Sequence, residues 1–430
     1  MFLTSKLNDA RLHTLLLPIC LVLLSVSSTA EPDQSTSSED LSEHEQLLEK
    51  QFEQGVDFIM SEYMEDSGSW PGFNGKPDVA MTAMPVKILA EAPPAYLEQY
   101  EAEFKAGVQY LLNAQQPSGA ILDADKVPQL ANYKTALATM ALVAAQDAYP
   151  KWEHSRFQKV ILNARKYLAN TQFSPGFHDI GEDHWAYGSW DYDRSKEKAD
   201  GDMSNAQFAL QALNAADLPE DSEVWDRAVS FLQRSQNRSE SNDLKEFFQE
   251  KGYSVGDDGG FIYYPGKTYA GKKKMPDGST RLRSYGSMTY AGLKSYIYAQ
   301  LDRQDPRVQS AYQWVQKNYT LDKNPGMAQA GNPERGKQAL FYYYHTLSKA
   351  LSVWGDPYIQ KLHEDGSTTK HHWARELVRK LADLQRDNGS WKNEVGRWRE
   401  DNPLLVTNFS LMSLNNCRNW IDKTDSSESK

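Results

Sequence analysis

LVRKLADLQRDNGSW, the stretch from Leu377 to Trp391, sets out a helix, its stop and the turn after it. Leu377, Val378, Leu381 and Leu384 recur at helical spacing, charged side chains fill the other face, and Asp387-Asn388-Gly389 is a turn signal. Gln385 and Trp391 bracket that turn. The same order recurs five more times: an apolar pair on a helix, a polar stretch often holding Gln, then a Gly beside an apolar or aromatic residue. Phe58-Ile59 leads to Gly68-Ser69-Trp70, and Tyr110-Leu111 with Gln115 leads to Gly119. Tyr167-Leu168 with Gln172 leads to Gly176-Phe177, Phe231-Leu232 with Gln236 to Gly259-Gly260-Phe261, and Trp314-Val315 to Gly326-Met327.

A second helical stretch follows each copy, rich in Ala, Leu and aromatics and poor in charge: VAMTAMPVKILAEA, YKTALATMALVAAQDA, MSNAQFALQALNAA, GSMTYAGLKSYIYAQL, QALFYYYHTLSKALSVW and VTNFSLMSLNN. A helix that is apolar nearly all round must be covered on several sides, whereas ILNARKYLANTQ and its equivalents have one face for water. The alternation predicts an all-α fold, an α6/α6 toroid with an outer ring of half-exposed helices around an inner buried ring. Closing the ring also lets a unit of this size bury its apolar surface without splitting into smaller domains. Residues 257–284 interrupt the pattern with FIYY, a Pro-Gly, the basic run Lys272 to Lys274 and an Asp-Gly turn, and predict a β-hairpin-like insertion.

With 40% hydrophobic and 24% charged residues over 430, the chain can build a large core, which rules out disorder along its whole length. Its net charge of -11 argues against a nucleic-acid partner. Thr14 to Val26 is an apolar run too short to span a bilayer, preceded by Lys6 and Arg11 and followed by Ser28-Thr29-Ala30. It predicts a signal peptide over 1–30, a secreted or periplasmic location, and no membrane span once the signal is removed. A lead-in over 31–42, the toroid over 43–421 and a frayed tail over 422–430 complete the expected organisation. Only Cys417 would remain in the exported chain, so no disulfide within it is expected.

On its repeats, the sequence resembles the squalene-cyclase and protein-prenyltransferase superfamily, the terpenoid-cyclase-like α/α toroids, and its exported single-toroid bacterial members. The copies resemble the family's QW motif, in which Gln and Trp tie a turn to neighbouring helix ends. The resemblance is carried by YGSMTYAGLKSYIYAQLDRQDPRVQSAYQWVQKNYTLDKNPGM, by LFYYYHTLSKAL and by LQRDNGSW. Squalene-hopene cyclases protonate an alkene with the middle Asp of a DxDD motif, and the corresponding segment here reads Asp200-Gly201-Asp202-Met203-Ser204. The resemblance thus implies Asp202 as acid with Asp200 beside it, although Met203 stands where the third Asp would be. It also implies that the zinc of prenyltransferases is absent, because only His345 remains of the positions that match Tyr285-Gly286-Ser287 and His345. His371-His372, on a predicted amphipathic helix, diverge too far to supply one. No metal and no cofactor are expected.

The candidate catalytic residues are therefore Asp202, Asp200 and His345, the last tuning the acid. Asp202 also stands where a helix cap belongs, and His345 where a buried imidazole would sit. Trp190, Tyr192, Ser204, Tyr285, Ser287 and Tyr344 are expected on the wall of a central aromatic cavity. The functional expectation is a cavity that binds an apolar or isoprenoid-type small molecule or a partner segment. A terpenoid-cyclase-like isomerase is one alternative. The other is a glycan-active α/α-toroid lyase or hydrolase, which needs Asp200 or Asp202 to face a second carboxylate such as Asp191 or Asp193.

Overall fold

A computed structural model describes residues 42–123, 130–192, 201–329 and 331–424. The expected signal, the lead-in up to residue 41 and most of the tail lie outside these residues, as do Asp193 and Asp200. Helices α1 (Glu43–Ser61), α4 (Glu101–Asn113), α6 (His154–Asn170), α8 (Glu223–Ser235), α11 (Pro306–Asn318) and α13 (Trp373–Leu384) form an outer wall. Between them run α2 (Val79–Glu91), α5 (Ala131–Ala148), α7 (Met203–Ala215), α10 (Gly286–Tyr298), α12 (Leu340–Trp354) and α14 (Pro403–Arg418). Two short helices, α3 (Pro94–Gln99) and α9 (Lys245–Glu250), lie in connections.

The ring closes. α2 packs on α5, α5 on α7, α7 on α10, α10 on α12, α12 on α14, and α14 returns to α2. The difference in sequence between the rings follows from this placement. α7 buries every residue from Met203 to Leu213, whereas α13 buries only Trp373, Ala374, Leu377, Val378 and Leu381, one stripe of its surface.

The repeat is the joint between the rings. Gln172 Nε2 donates to Gly188 O of its own turn at 3.1 Å and to Val224 O of the next outer helix at 2.9 Å. Gln236 makes the equivalent pair with Gly259 O and Arg307 O, and Gln385 with Gly389 O and Gln51 O. Gln115 reaches Val160 O. The indole N–H groups of Trp70, Trp190 and Trp391 each donate at 2.7 Å to a carbonyl near the end of the preceding outer helix. Each of these buried polar groups is thereby satisfied inside an apolar wall.

The third copy corrects the expected register. Gly188 and Trp190, rather than Gly176 and Phe177, complete it, because the chain loops out for a further turn before returning to the ring. Trp190 is thus a brace at 0% exposure and not a cavity residue.

Strands β1 (Lys272–Lys274) and β2 (Thr280–Leu282) form the antiparallel hairpin expected within 257–284. A second hairpin pairs β3 (Tyr358–Leu362) with β4 (Thr368–His372), with Ile359 opposite His371. His371 and His372 therefore lie on a strand, not on the helix expected for them, and project to opposite faces. α13 begins one residue later.

Candidate functional site

A cavity of about 630 Å³ opens at the end of the barrel where the inner helices begin. An α-helix leaves its first backbone N–H groups unpaired and carries partial positive charge there. Here those groups are met by side chains placed around the cavity. On α2, Asp78 Oδ1 accepts from Met81 N at 2.9 Å and Asp123 Oδ1 from Val79 N at 2.7 Å, and Lys134 of α5 forms ion pairs with both carboxylates. On α10, Asn324 Oδ1 accepts from Ser287 N, and on α14, Asn402 Oδ1 accepts from Leu405 N.

Asp202 caps α7. Its Oδ1 accepts from Ser204 N at 2.8 Å and Asn205 N at 2.9 Å, and its Oδ2 from Asn205 Nδ2 at 3.0 Å; Tyr263 adds a further hydrogen bond. The residue is 1% exposed, and burial pushes its carboxyl up to about 6 against those hydrogen bonds. Asp202 is not itself part of the cavity wall, which here consists of Tyr192, Ser204 and Tyr263. Replacing Asp202 with Asn should keep the cap and change stability by under about 1 kcal/mol, whereas Asp202→Ala should lose about 1–2 kcal/mol in urea denaturation. Equal losses in the two variants would contradict the capping role.

Glu400 does face the cavity, and no feature of the sequence singles it out. It is 1% exposed, its Oε1 accepts from Tyr342 N of α12 at 2.8 Å, and its Oε2 accepts from Asn393 Nδ2. Burial pushes its carboxyl up to about 7. The two residues before it, Trp398 and Arg399, have φ of +56° and +67°, a left-handed conformation that costs a non-glycine residue of order 1–3 kcal/mol and collects at functional sites. Trp398 packs edge-on against Tyr269 at 5.2 Å, and Arg399 sits over Phe73. Phe73, Leu130 and Trp398, at 50%, 37% and 41% exposure, are three of the five large exposed hydrophobic residues among those described, and all three line this cavity.

Of the expected wall residues, Tyr192, Ser204, Tyr285 and Ser287 line the cavity. Ser204 Oγ links the hydroxyls of Tyr342, at 3.0 Å, and Tyr133, at 3.3 Å, while Tyr192 and Tyr263 share a hydrogen bond of 3.1 Å. Tyr344 is turned away, its hydroxyl donating to Leu321 O at 2.5 Å. His345 is also displaced from its expected role. It lies sandwiched between Phe208, at 6.3 Å, and Phe409, at 5.7 Å, and none of its neighbours is Asp202. Burial, with Lys294 nearby, keeps this imidazole neutral, its pKa well below the usual value. Asp191 is buried away from the cavity wall and its backbone carbonyl accepts from Asn132.

A profile for the A-macroglobulin TED domain matches residues 30–182, less than half of the chain. No curated protein matches the sequence. Among solved structures, the type II terpene cyclase MstE from Scytonema is similar over 86% of this chain and 97% of its own, at 13% identity and a TM-score of 0.48. A protein from Actinoplanes aligns over 86% and 99% at 14% identity and a TM-score of 0.47. A GH76 α-mannanase from Bacteroides thetaiotaomicron aligns over 87% and 97% at 10% identity and a TM-score of 0.51. The chain is an α/α toroid. At such identities the likeness is one of fold, which hosts unrelated activities.

Proposed function

We propose that this exported toroid binds an amphipathic small molecule with an apolar, isoprenoid-type body, inserted apolar end first. The observation that carries the reading is the gradient along the cavity wall. The charged residues of the wall, Asp78, Asp123, Lys134, Arg399 and Glu400, all lie before the inner helices or in their first turn, beside the exposed apolar side chains of Phe73, Leu130 and Trp398. A turn or more into the inner helices the wall becomes Met84, Leu137 and Phe409. Such a wall takes a hydrocarbon below and a hydroxyl or carbonyl above, and its volume lies within the range of about 300–1,000 Å³ common for ligand pockets.

This reading makes Asp202 a cap rather than a proton donor. Both its oxygens are occupied as acceptors, and a carboxyl near 6 is a weak acid for protonating an alkene. The glycan reading retains one supporting observation: the wall holds Glu400, its carboxyl pushed to about 7 as a general acid requires, together with two further carboxyl side chains, Asp78 and Asp123, both ion-paired with Lys134.

The test is extraction and mass spectrometry of molecules that co-purify with the protein, with titration by geranylgeraniol and by manno-oligosaccharides. Binding of the isoprenoid alcohol, lost in a folded Leu137→Trp variant that fills the deep end, supports the proposal. Binding of the oligosaccharides alone, or isoprenoid binding untouched by Leu137→Trp, would overturn it.

A further inference from the structure

Far from the cavity, the β3–β4 hairpin brings two imidazoles to one point. His363 Nε2 and His371 Nε2 each lie 2.9 Å from Thr369 Oγ1, so the two nitrogens are within twice that distance of each other. His371 Nδ1 is 2.8 Å from Glu376 Oε1, and Glu376 Oε2 accepts from the Tyr319 hydroxyl at 3.0 Å. A carboxylate can only accept, so in the neutral ring the His371 proton sits on Nδ1 and its Nε2 lone pair accepts from the Thr369 hydroxyl, which in turn accepts from His363 Nε2–H. A carboxylate that fixes the tautomer and orientation of an imidazole in this way is the outer support typical of metal-binding histidines.

We propose that His363 and His371 bind one divalent transition-metal ion through their Nε2 atoms, at the point where the Thr369 hydroxyl links them. This is independent of the ligand assigned to the cavity. Two nitrogen donors favour Cu²⁺ or Zn²⁺ and disfavour Mg²⁺ and Ca²⁺, which take oxygen ligands. Among the described residues no group of three or more His, Cys, Asp or Glu side chains gathers around one point, so water fills the other coordination positions. The metal ion replaces the Thr369 hydroxyl as the partner of both nitrogens and leaves the neutral His363 proton on Nδ1. His363 is exposed at the hairpin end, and binding requires its ring to leave the Thr369 hydroxyl and turn until both nitrogens stand at a metal–nitrogen distance of about 2.0–2.1 Å. Lys361, the cross-strand neighbour of Thr369, is a cation close to the site and opposes binding.

Tag-free protein titrated calorimetrically with Cu²⁺, and separately with Zn²⁺, tests the proposal. One ion per chain is expected, with two nitrogen ligands in the electron paramagnetic resonance spectrum of the copper form. His363→Ala and His371→Ala should each weaken binding at least about tenfold, and Glu376→Gln, which alters only the support, about tenfold. Thr369→Val should retain binding and Lys361→Ala should tighten it; circular dichroism checks that each variant is folded. No binding by the wild-type chain, or binding unchanged in both histidine variants, would overturn the assignment.

Discussion

Gly188→Ala should cost about 3–5 kcal/mol in urea denaturation, or prevent recovery of folded protein, whereas Gly252→Ala should cost only about 1–2 kcal/mol. The two glycines share a left-handed backbone, φ +82° and +73°, so the conformational penalty is common to both. What differs is the space beside them. A Cβ on Gly188 would lie 1.7 Å from Arg227 O and 2.4 Å from its carbonyl carbon, both backbone atoms of the outer helix α8, while nothing approaches Gly252 within 4 Å. Backbone on a packed helix cannot swing aside as a side-chain tip can, so Gly188→Ala must separate the two walls at that joint. The same substitution at Gly389, whose Cβ would meet Gln54 O at 2.2 Å, should behave like Gly188→Ala. Similar losses for Gly188→Ala and Gly252→Ala would show that the repeat glycines serve turn geometry alone.

The second large effect is on pH dependence and comes from Glu400. Its folded-state pKa is raised from 4.5 to about 7, so folding favours the protonated acid. The stability this provides is complete below the unfolded-state value and is lost as pH rises through the folded one, between roughly pH 4.5 and 7. The shift corresponds to about 3 kcal/mol at most. Asp202 contributes in the same direction over a slightly lower range, with its carboxyl raised to about 6. Other carboxylates, Asp305 among them, are held low by arginine and pull the whole-protein profile the other way. The informative quantity is therefore the difference between wild type and Glu400→Gln. Urea midpoints should show the variant gaining on wild type by up to about 3 kcal/mol between pH 4.5 and 8. Parallel profiles would mean that water reaches the carboxyl.

How far the site is legible in the sequence depends on whether a residue's partners are local. The Gln and Trp of each joint are legible because they recur at matched offsets, and the alternation of apolar and amphipathic helices carries the two rings. Asp202 reads as a cap because it sits directly before the helix it caps. Glu400 does not stand out, since it reaches the start of α12 from a loop some sixty residues further along the chain, where RWRED carries no periodicity. Gly176 outranks Gly188 on sequence because its shorter spacing matches the other copies. The second hairpin carries a legible signal that the expected helix overrode: Glu364-Asp365-Gly366-Ser367 is an Asp-Gly turn between two stretches of β-branched and aromatic residues. The strong helical pattern of α13 begins immediately after it and masks the strand.

The meeting of α13 and α14 with α1 and α2 has a consequence for how the molecule is made. Gln51 Nε2 donates to Val378 O, and Asn415 Nδ2 to Ile88 O, each bridging more than three hundred positions of chain. The greasy faces of the early helices stay uncovered until the last hairpin emerges, so folding should be slow, late and all at once, and vulnerable to clumping beforehand. The same seam leaves the first and last helices side by side. A rearranged gene that joins them by a short linker and opens the chain at an exposed outer turn should still yield the native ring.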